Sequence, residues 1–351
     1  MGDLLGKCAA GSRPTGDGLA THAAARGLLY GSVIRIGVAE RDPAVAQAYI
    51  NECGVLVPGT ALFWPKVHPA LDRFDFNAAD KIYNFAAANG IKFRGHTLLW
   101  YKQLPDWFEA AVNPSNAASV MQNHITTVVG HFKGKTHSWD VVNEIIDDKS
   151  ARPDGLGPSA WLDLLGPEYV PMAFRAAKAA DPDTLLVYND NHMDYDTPAW
   201  DRKRSLVLAY LTKLKSDGVP VEALGIQAHL DASETRFSET KFRQFLRDVA
   251  ALGLKIIISE LDVRDNQVAG GLMERDSAVA AAYSRYLSVA LDEPAVIAVL
   301  TWGLNDNDTW LEKIHPRRDG QPLRPLPLDP QLQRTAVWDA IARAFDAAPK
   351  R

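Results

Sequence analysis

The sequence predicts an α/β fold in a single domain, namely a (β/α)8 or TIM barrel. Short apolar runs rich in β-branched residues alternate along the chain with longer segments of helical spacing. Eight such units follow one another within 351 residues, and eight parallel strand–helix units close into a barrel. A doubly wound sheet is the alternative, but no glycine-rich phosphate loop follows the first predicted strand.

The predicted strands are runs of apolar residues, several of which end at polar or aromatic side chains. The second run stops at Pro58-Gly59, and the seventh contains three consecutive isoleucines. We predict strands at 32–39, 55–57, 91–99, 136–143, 185–188, 224–229, 255–261 and 296–302.

The predicted helices are marked by their stop signals as well as by their apolar spacing. Residues 77–89 carry apolar side chains at 82, 85 and 86 and are followed by Gly90, which favours a helix C-terminus. Residues 181–182, 217–218 and Gly253 end three later helices. We predict helices at 77–89, 116–132, 167–180, 201–216, 238–252, 275–292 and 333–345.

The barrel is expected to occupy residues 27–351, after a flexible lead-in over residues 1–26. Residues 10–17 are rich in Gly, Ser, Pro and Thr, as flexible segments often are. The proline-rich stretch 316–330 is predicted to be a long loop over one barrel face. Residues 1–25 show no apolar core of a signal peptide. A secreted or periplasmic location would therefore require a leader removed from this sequence, and a cytoplasmic location is the alternative.

Composition limits the classes of partner. No run reaches the roughly 18 apolar residues of a membrane span, and a net charge of -5 argues against nucleic acid or anionic membranes. Two cysteines, Cys8 and Cys53, are too few for a disulfide scaffold or a four-cysteine zinc site. Nine Trp and ten Tyr supply flat rings on which sugars stack. We expect a monomer without cofactor that binds carbohydrate.

Two carboxylates stand out at the predicted strand ends. Residues 139–144 read as a buried strand that ends in Asn143-Glu144, and Glu260 lies near the end of the seventh strand. The C-terminal ends of parallel strands carry the chemistry of such barrels, so both carboxylates should face one cleft. A pair of this kind suits glycoside hydrolysis, in which one carboxyl is protonated and the other ionised. His229, at the end of the sixth strand, is expected to hydrogen-bond Glu260 and orient it.

Two other classes of function compete with this reading. A metal-dependent hydrolase or lyase could use His96, His229, Glu260 and Asp262 as ligands, although no His-Glu-x-x-His occurs. A barrel that binds sugar without catalysis is the second, but the retention of both Glu144 and Glu260 argues against it. The carboxylate pair explains the site without a metal, so we predict none.

Taken together, the motifs resemble glycoside hydrolase family 10, the β-1,4-xylanases. The resemblance covers nearly the whole chain from about residue 27 and rests on segments 95–100, 139–144, 188–190, 225–230, 259–263 and 302–310. It implies a retaining double displacement with Glu144 as acid/base and Glu260 as nucleophile. For retention, the two carboxyl groups should lie about 5–5.5 Å apart.

The resemblance also assigns the residues around the sugar. Tyr188 is expected to stack on the leaving-group side, and Asn143 to bond a sugar hydroxyl beside the reacting carbon. The other substrate-binding residues implied are His96, Trp100, Gln103, Asn189, Gln227, His229, Trp302 and Trp310.

One segment departs from the family pattern. Where the family usually reads Pro-Glu-Asn-x-x-Lys-Trp, this chain has Gly59, Thr60 and Phe63 in place of Glu, Asn and Lys. In the family those groups bond the sugar one unit further on the glycone side. Lys66 is expected to point elsewhere. Two substrate classes follow: xylan with a weakened subsite, or a short or non-xylan β-glycoside, for example one with an apolar part.

Overall fold

The computed structural model describes residues 16–351. Within this range the chain forms ten strands, of which eight make a closed parallel barrel and two short ones extend it. The strands are β1 (Leu29–Val33), β2 (Val55–Val57), β3 (Lys92–Gly95), β4 (Leu99–Trp100), β5 (Thr136–Asn143), β6 (Leu185–Asp190), β7 (Ala223–Ile226), β8 (His229–Asp231), β9 (Lys255–Arg264) and β10 (Val296–Thr301).

The helices surround the barrel and connect its strands. Two 3₁₀ turns, Gly166–Glu168 and Asp306–Asp308, accompany them. The helices are α1 (Leu19–Ala24), α2 (Ile36–Ala39), α3 (Pro43–Glu52), α4 (Trp64–Val67), α5 (Asn77–Ala88), α6 (Phe108–Ala111), α7 (Ala117–His131), α8 (Ala160–Leu165), α9 (Tyr169–Ala180), α10 (Pro198–Ser216), α11 (Glu239–Ala251), α12 (Leu272–Ala290), α13 (Leu311–Ile314) and α14 (Ala336–Ala347).

The barrel closes because β10 pairs in parallel with both β1 and β9. Leu29 lies opposite Ala298 in the first pairing, and Val299 opposite Ile258 in the second. The short strand β4 pairs with β5, and β8 pairs with β9, both beyond the barrel proper. The prediction of a single (β/α)8 barrel is confirmed.

Apolar packing divides into two layers, as the strand period of two requires. Small and branched side chains fill the barrel interior, among them Val33, Val57, Val187 and Leu300. Alternate residues point outward and pack against the helices in one large cluster. The polar side chains at the C-terminal strand ends therefore stand on a rigid apolar base.

Four predicted boundaries are wrong. The sixth predicted strand, 224–229, is two strands, because β7 ends at Ile226 and β8 begins at His229. The first strand is Leu29–Val33 and not 32–39, because the chain turns into α2 at Ile36. The third predicted strand is two short strands, β3 and β4, separated by residues 96–98. The lead-in, expected to be flexible as far as residue 26, contains α1, whose Leu19 and Ala23 are fully buried. Residues 1–15 of that lead-in lie outside the described residues.

The remaining boundaries agree with prediction to within a few residues. Residues 316–330 contain no helix or strand, as expected for a loop. The helix α3, which has Asp42 as its N-cap and Pro43 in its first turn, was not predicted. No helix between residues 16 and 351 is long and apolar enough to cross a membrane.

Candidate active site

Glu144 stands directly after β5, at the point where the strand pairing ends. Its backbone adopts a left-handed conformation, with φ of 55°. Its N–H still donates to the Asn189 carbonyl oxygen on β6, at 2.9 Å. The turn therefore takes the carboxylate out of the strand while the neighbouring strand holds its backbone in place. A non-glycine residue with such a φ is uncommon and is often found at functional sites.

Three donors surround the Glu144 carboxylate. Lys102 Nζ lies 2.8 Å and Trp100 Nε1 3.1 Å from Oε2, and Gln227 Nε2 lies 3.1 Å from Oε1. Burial of this carboxyl opposes its ionisation, but the Lys102 ammonium and the hydrogen bonds outweigh burial and hold its pKa below the usual value. The ionised form is thus favoured in the unliganded protein.

Glu260 lies within β9, and its side chain is only 5% exposed. Asn189 Nδ2 donates to Oε1 at 2.7 Å, and His229 Nε2 lies 3.2 Å from Oε2. The other ring nitrogen of His229 lies 2.9 Å from Asp262. Burial disfavours a charged His229, but Asp262 and Glu260 outweigh it and raise the His229 pKa to about 10. The expected contact between His229 and Glu260 is present, and the histidine is an imidazolium at neutral pH.

Side-chain amides connect the two carboxylates. Asn189 Nδ2 also donates to Asn143 Oδ1 at 2.9 Å, and Gln227 Nε2 approaches the same oxygen at 3.3 Å. A continuous path of hydrogen bonds therefore runs from Glu144 through Gln227, Asn143 and Asn189 to Glu260. Such a network fixes the positions of its members more firmly than isolated bonds would.

His96 is held from behind by a buried ion pair. Asp140 on β5 accepts hydrogen bonds from both Arg94 terminal nitrogens and lies 2.8 Å from His96 Nδ1. Burial opposes ionisation of Asp140, but Arg94 and His96 outweigh it and lower its pKa. The imidazole of His96 is therefore fixed in one orientation at the floor of the cleft.

Aromatic rings form the walls around the carboxylates. Trp302 meets His96 edge-on at 5.2 Å between ring centroids, and Trp310 meets His229 at 5.0 Å. Trp310 Nε1 also donates to Asp262 Oδ2 at 2.7 Å, which fixes its ring. The cleft that these groups line has a volume of about 680 Å³, which suits a small molecule or a few sugar units.

The three departures from the family pattern lie at one end of this cleft. Phe63 is half-buried, with its ring 5.5 Å from Trp100 and 5.8 Å from His96. Gly59 has a left-handed φ of 51°, and Thr60 is exposed. All three line the cleft, so a glycine, a threonine and an aromatic ring stand where the family pattern has Glu, Asn and Lys. Lys66 is exposed on α4 and outside the cleft lining, as predicted.

Three predicted sugar contacts do not fit the structure. Tyr188 has no exposed surface and donates its hydroxyl to Asp190, so its ring does not stack on a sugar. Asn189 is likewise fully buried, and it positions Glu260 and Asn143 instead. Gln103 is partly buried and is not part of the cleft lining. The strand alternation at 188–190 explains the first error, because Tyr188 points into the helix layer.

The structure brings into the cleft several residues that sequence reasoning missed. Lys102 contacts Glu144, although an exposed Lys beside Trp100 carries no distinguishing sequence signal. The rings of Trp200, Tyr195 and His192 form a stacked group, with Trp200 at 5.0 and 5.1 Å from the other two. The signal for this group was the aromatic content of residues 192–200, directly after the β6 end.

Two further observations concern metal binding and a second cavity. Residues 16–351 contain no group of three or more His, Cys, Asp or Glu side chains that could hold a metal ion. A second hollow of about 790 Å³ lies beside α1 and α3 and contains no residue of the cleft. Within residues 16–351, Glu144, Glu260 and the aromatic walls described above meet at the strand ends.

Comparison with known proteins agrees with this geometry. Endo-1,4-beta-xylanase B of Thermotoga neapolitana is 34% identical over 274 residues, which cover 78% of this chain and 75% of that protein. The structure of native xylanase 10B from Thermotoga maritima superimposes with a TM-score of 0.85 at 32% identity, over 94% of this chain and 98% of that one. Xylanase 10B from Thermotoga petrophila RKU-1, solved with xylobiose, gives 0.86 at 31% identity, over 95% and 98%.

The family profile described as Glycosyl hydrolase family 10 matches residues 18–344, which is nearly the whole described chain. Its start at residue 18 coincides with the N-cap of α1. The chain therefore belongs to glycosyl hydrolase family 10.

Proposed function

We propose that the protein is a retaining β-glycoside hydrolase of the endo-1,4-β-xylanase type. The observation that carries the proposal is the pair Glu144 and Glu260, which face one aromatic cleft in different electrostatic surroundings. Membership of the family makes the protein an enzyme that hydrolyses O-glycosyl bonds. The xylobiose in a related structure supports a xylo-oligosaccharide as the ligand.

The proposed reaction has two steps, and the atoms balance in each. In the first, a Glu260 oxygen bonds the anomeric carbon while the bond to the leaving oxygen breaks, and Glu144 donates its proton to that oxygen. In the second, Glu144 takes a proton from water, the hydroxide bonds the anomeric carbon, and Glu260 is released. His229 and Asn189 stabilise Glu260 as the ionised nucleophile.

Removal of either carboxylate tests the proposal. With an aryl β-xyloside, Glu260→Ala should lower kcat on the order of 10⁴-fold or more, because no covalent intermediate forms. Glu144→Ala should lose roughly 10²–10⁴-fold, and added azide should restore turnover with a β-glycosyl azide as product. Glu109→Ala, an exposed carboxylate on α6, is the matched control. Near-normal turnover by Glu260→Ala, or a product of inverted configuration, would sink the mechanism.

A second substrate class is favoured by the environment of Phe63. This ring packs on Trp100 and His96 and leaves an apolar surface at the end of the cleft where three polar side chains are absent. A hydrogen bond to a sugar is worth about 0.5–1.5 kcal/mol, so the loss of three such bonds weakens the binding of a polymer chain by orders of magnitude. The substrate of this second class is a short β-glycoside or one with an apolar group.

The two substrate classes predict a different dependence of kcat/KM on the length of the substrate chain. We expect kcat/KM for long xylan to be low relative to aryl β-xylosides and other small glycosides. A panel of xylo-oligosaccharides, β-xylosides and β-glucosides measures this directly. Efficient depolymerisation of long xylan would show that other contacts compensate for Gly59, Thr60 and Phe63.

A further inference from the structure

Lys102 differs from the arginine side chains of the cleft in the carboxylate with which it pairs. Four lysine and arginine side chains line the cleft, and each pairs with one carboxylate: Arg35 with Asp308 at 2.9 Å, Arg236 with Glu234 at 2.5 Å, Arg264 with Asp231 at 2.8 Å, and Lys102 with Glu144 at 2.8 Å. Three of these carboxylates have no part in the proposed chemistry. The fourth is the acid/base itself.

The pairing with Lys102 opposes the first catalytic step. Glu144 must be protonated to assist the leaving oxygen, yet an ammonium group 2.8 Å away stabilises its ionised form. Protonation of Glu144 leaves Lys102 without its partner, and within residues 16–351 the structure shows no other carboxylate paired with it. An anion supplied by the substrate would resolve this conflict.

Lys102 is placed where such an anion would arrive. The leaving oxygen must contact the Glu144 carboxyl, so the first atoms of the leaving group come close to Lys102 Nζ. The Lys102 side chain is 48% exposed, which leaves it free to turn towards a ligand. The rings of Trp100 and Tyr101, 5.3 and 5.2 Å from Nζ, keep the ammonium at this side of the cleft.

We propose that Lys102 is a specificity-determining residue that selects β-glycosides whose leaving group carries a carboxylate, as an acidic sugar or an acidic aglycone does. This inference rests on the proposed function. The carboxylate of the leaving group pairs with Lys102 and draws it away from Glu144, which then takes a proton from solvent and gives it to the leaving oxygen. With a neutral leaving group, Lys102 stays on Glu144 and keeps more of it ionised.

Two aryl β-xylosides that differ only in charge test the proposal. One carries a para-carboxylate on the phenyl ring and the other a para-carboxamide, and kcat/KM is measured for both at pH 7. The difference in acidity between the two phenols is the same for every variant, so it cancels when the ratio of the two values is compared between proteins.

The ratio of kcat/KM for the carboxylate to kcat/KM for the carboxamide should be roughly fivefold larger in wild type than in Lys102→Met. A factor of this size corresponds to the energy of a partly exposed ion pair. Lys102→Arg retains the charge and should keep most of the preference. Lys66→Met removes an equal charge from an exposed position outside the cleft and should leave the ratio unchanged.

The outcomes separate this inference from the proposed function. If Lys102→Met hydrolyses both compounds with the wild-type ratio, the inference is overturned and the proposed function stands. If Lys66→Met lowers the ratio as much as Lys102→Met does, the preference is a long-range charge effect and the inference is overturned as well. If wild type hydrolyses neither compound nor any other β-xyloside, both are overturned.

Discussion

His229 is a residue whose charge state depends strongly on its neighbours. Its ring lies between Asp262 and Glu260, and both carboxylates favour the imidazolium. Because its pKa in the folded protein, about 10, lies above the ordinary value near 6.5, this charge stabilises the fold fully below about pH 6.5. The contribution is lost as the pH rises through about 10. Glu260 therefore keeps a cationic partner over the whole neutral range.

Replacement of Asp262 by Asn should remove one of the two carboxylates that keep the His229 ring protonated. Asn has nearly the same size but no charge, so we expect the His229 pKa to fall by about 1–3 units. NMR titration of the His229 ring nitrogens measures the change. An unchanged midpoint in Asp262→Asn would show that Glu260 alone holds the proton on the ring.

At the scale of single residues, the sequence predicts the location of the two proposed catalytic carboxylates better than the contacts that support them. Glu144 and Glu260 follow strands that hydrophobic patterning identifies, so their common location follows from the fold class. The burial of Tyr188 could not be predicted, because a one-residue uncertainty in a strand end exchanges the two faces. The contact between Lys102 and Glu144 depends on the path of a loop, which local sequence does not determine.

Among the elements, the turn after β2 departs most from expectation in its chemistry. Gly59 is buried with a left-handed φ, and a Cβ placed on it would lie 3.2 Å from the Ile34 carbonyl oxygen. The backbone of this segment therefore restricts which side chains position 59 can carry. A simple return to Glu at this position would be strained, so the altered subsite is a property of the whole turn.

Gly59→Ala should measure that constraint. An L residue in the left-handed region costs about 1–2 kcal/mol, and contact with the Ile34 oxygen adds to this, so we expect a loss of about 2–3 kcal/mol in the free energy of unfolding. Gly134→Ala is the matched control, since Gly134 also has a left-handed φ of 70° but nothing within 4 Å of an added Cβ. Urea unfolding of both variants gives the difference. Equal losses would show that the turn after β2 adjusts freely.

Element boundaries were predictable where the chain carries an explicit stop signal. Gly90 and Gly253 follow their helices in left-handed conformations, and β5 ends where Asn-Glu replaces the β-branched run. The first strand was misplaced because Val33 and Ile34 continue apolar into Ile36, and no turn residue separates β1 from α2. Apolar patterning alone cannot distinguish a strand from a helix over so short a segment.

For the whole molecule, the two ends of the described chain meet at Glu52. This carboxylate is 5% exposed and accepts hydrogen bonds from the Leu19 N–H that begins α1 and from Trp338 Nε1 on α14, both at 2.8 Å. Arg334 pairs with its second oxygen at 3.1 Å. One side chain on α3 thus connects α1 and α14 across the closure of the barrel.

Glu52→Ala should destabilise the whole molecule. It leaves two buried N–H donors without acceptors, each at a cost of about 1–3 kcal/mol, so we expect a loss of about 3 kcal/mol in the free energy of unfolding. Glu52→Gln keeps a side-chain oxygen and should lose less. Thermal and urea unfolding, with kcat measured below the transition, distinguish a loss of stability from a change in the site. Equal effects of Ala and Gln would show that the charge, and not the acceptor, is what α1 and α14 require.

The number of strand–helix units, and hence the closed barrel, follows from the sequence because each unit repeats the same alternation of strand and helix. The packing of α1 against α14 does not follow, because it joins residues more than 300 positions apart. The same is true of Glu52, a lone carboxylate whose partners come from both ends of the chain.

The amide path between Glu144 and Glu260 has a consequence for the timing of the reaction. In the proposed reaction, the negative charge of Glu260 disappears when its glycosyl ester forms, and the Asn189 amide that donates to it would lose this charged acceptor. Asn143 and Gln227 connect this amide to Glu144, which in the proposed reaction must then change from a proton donor to a proton acceptor. We therefore expect the loss of charge on Glu260 to alter the hydrogen bonding of Glu144 between the two steps.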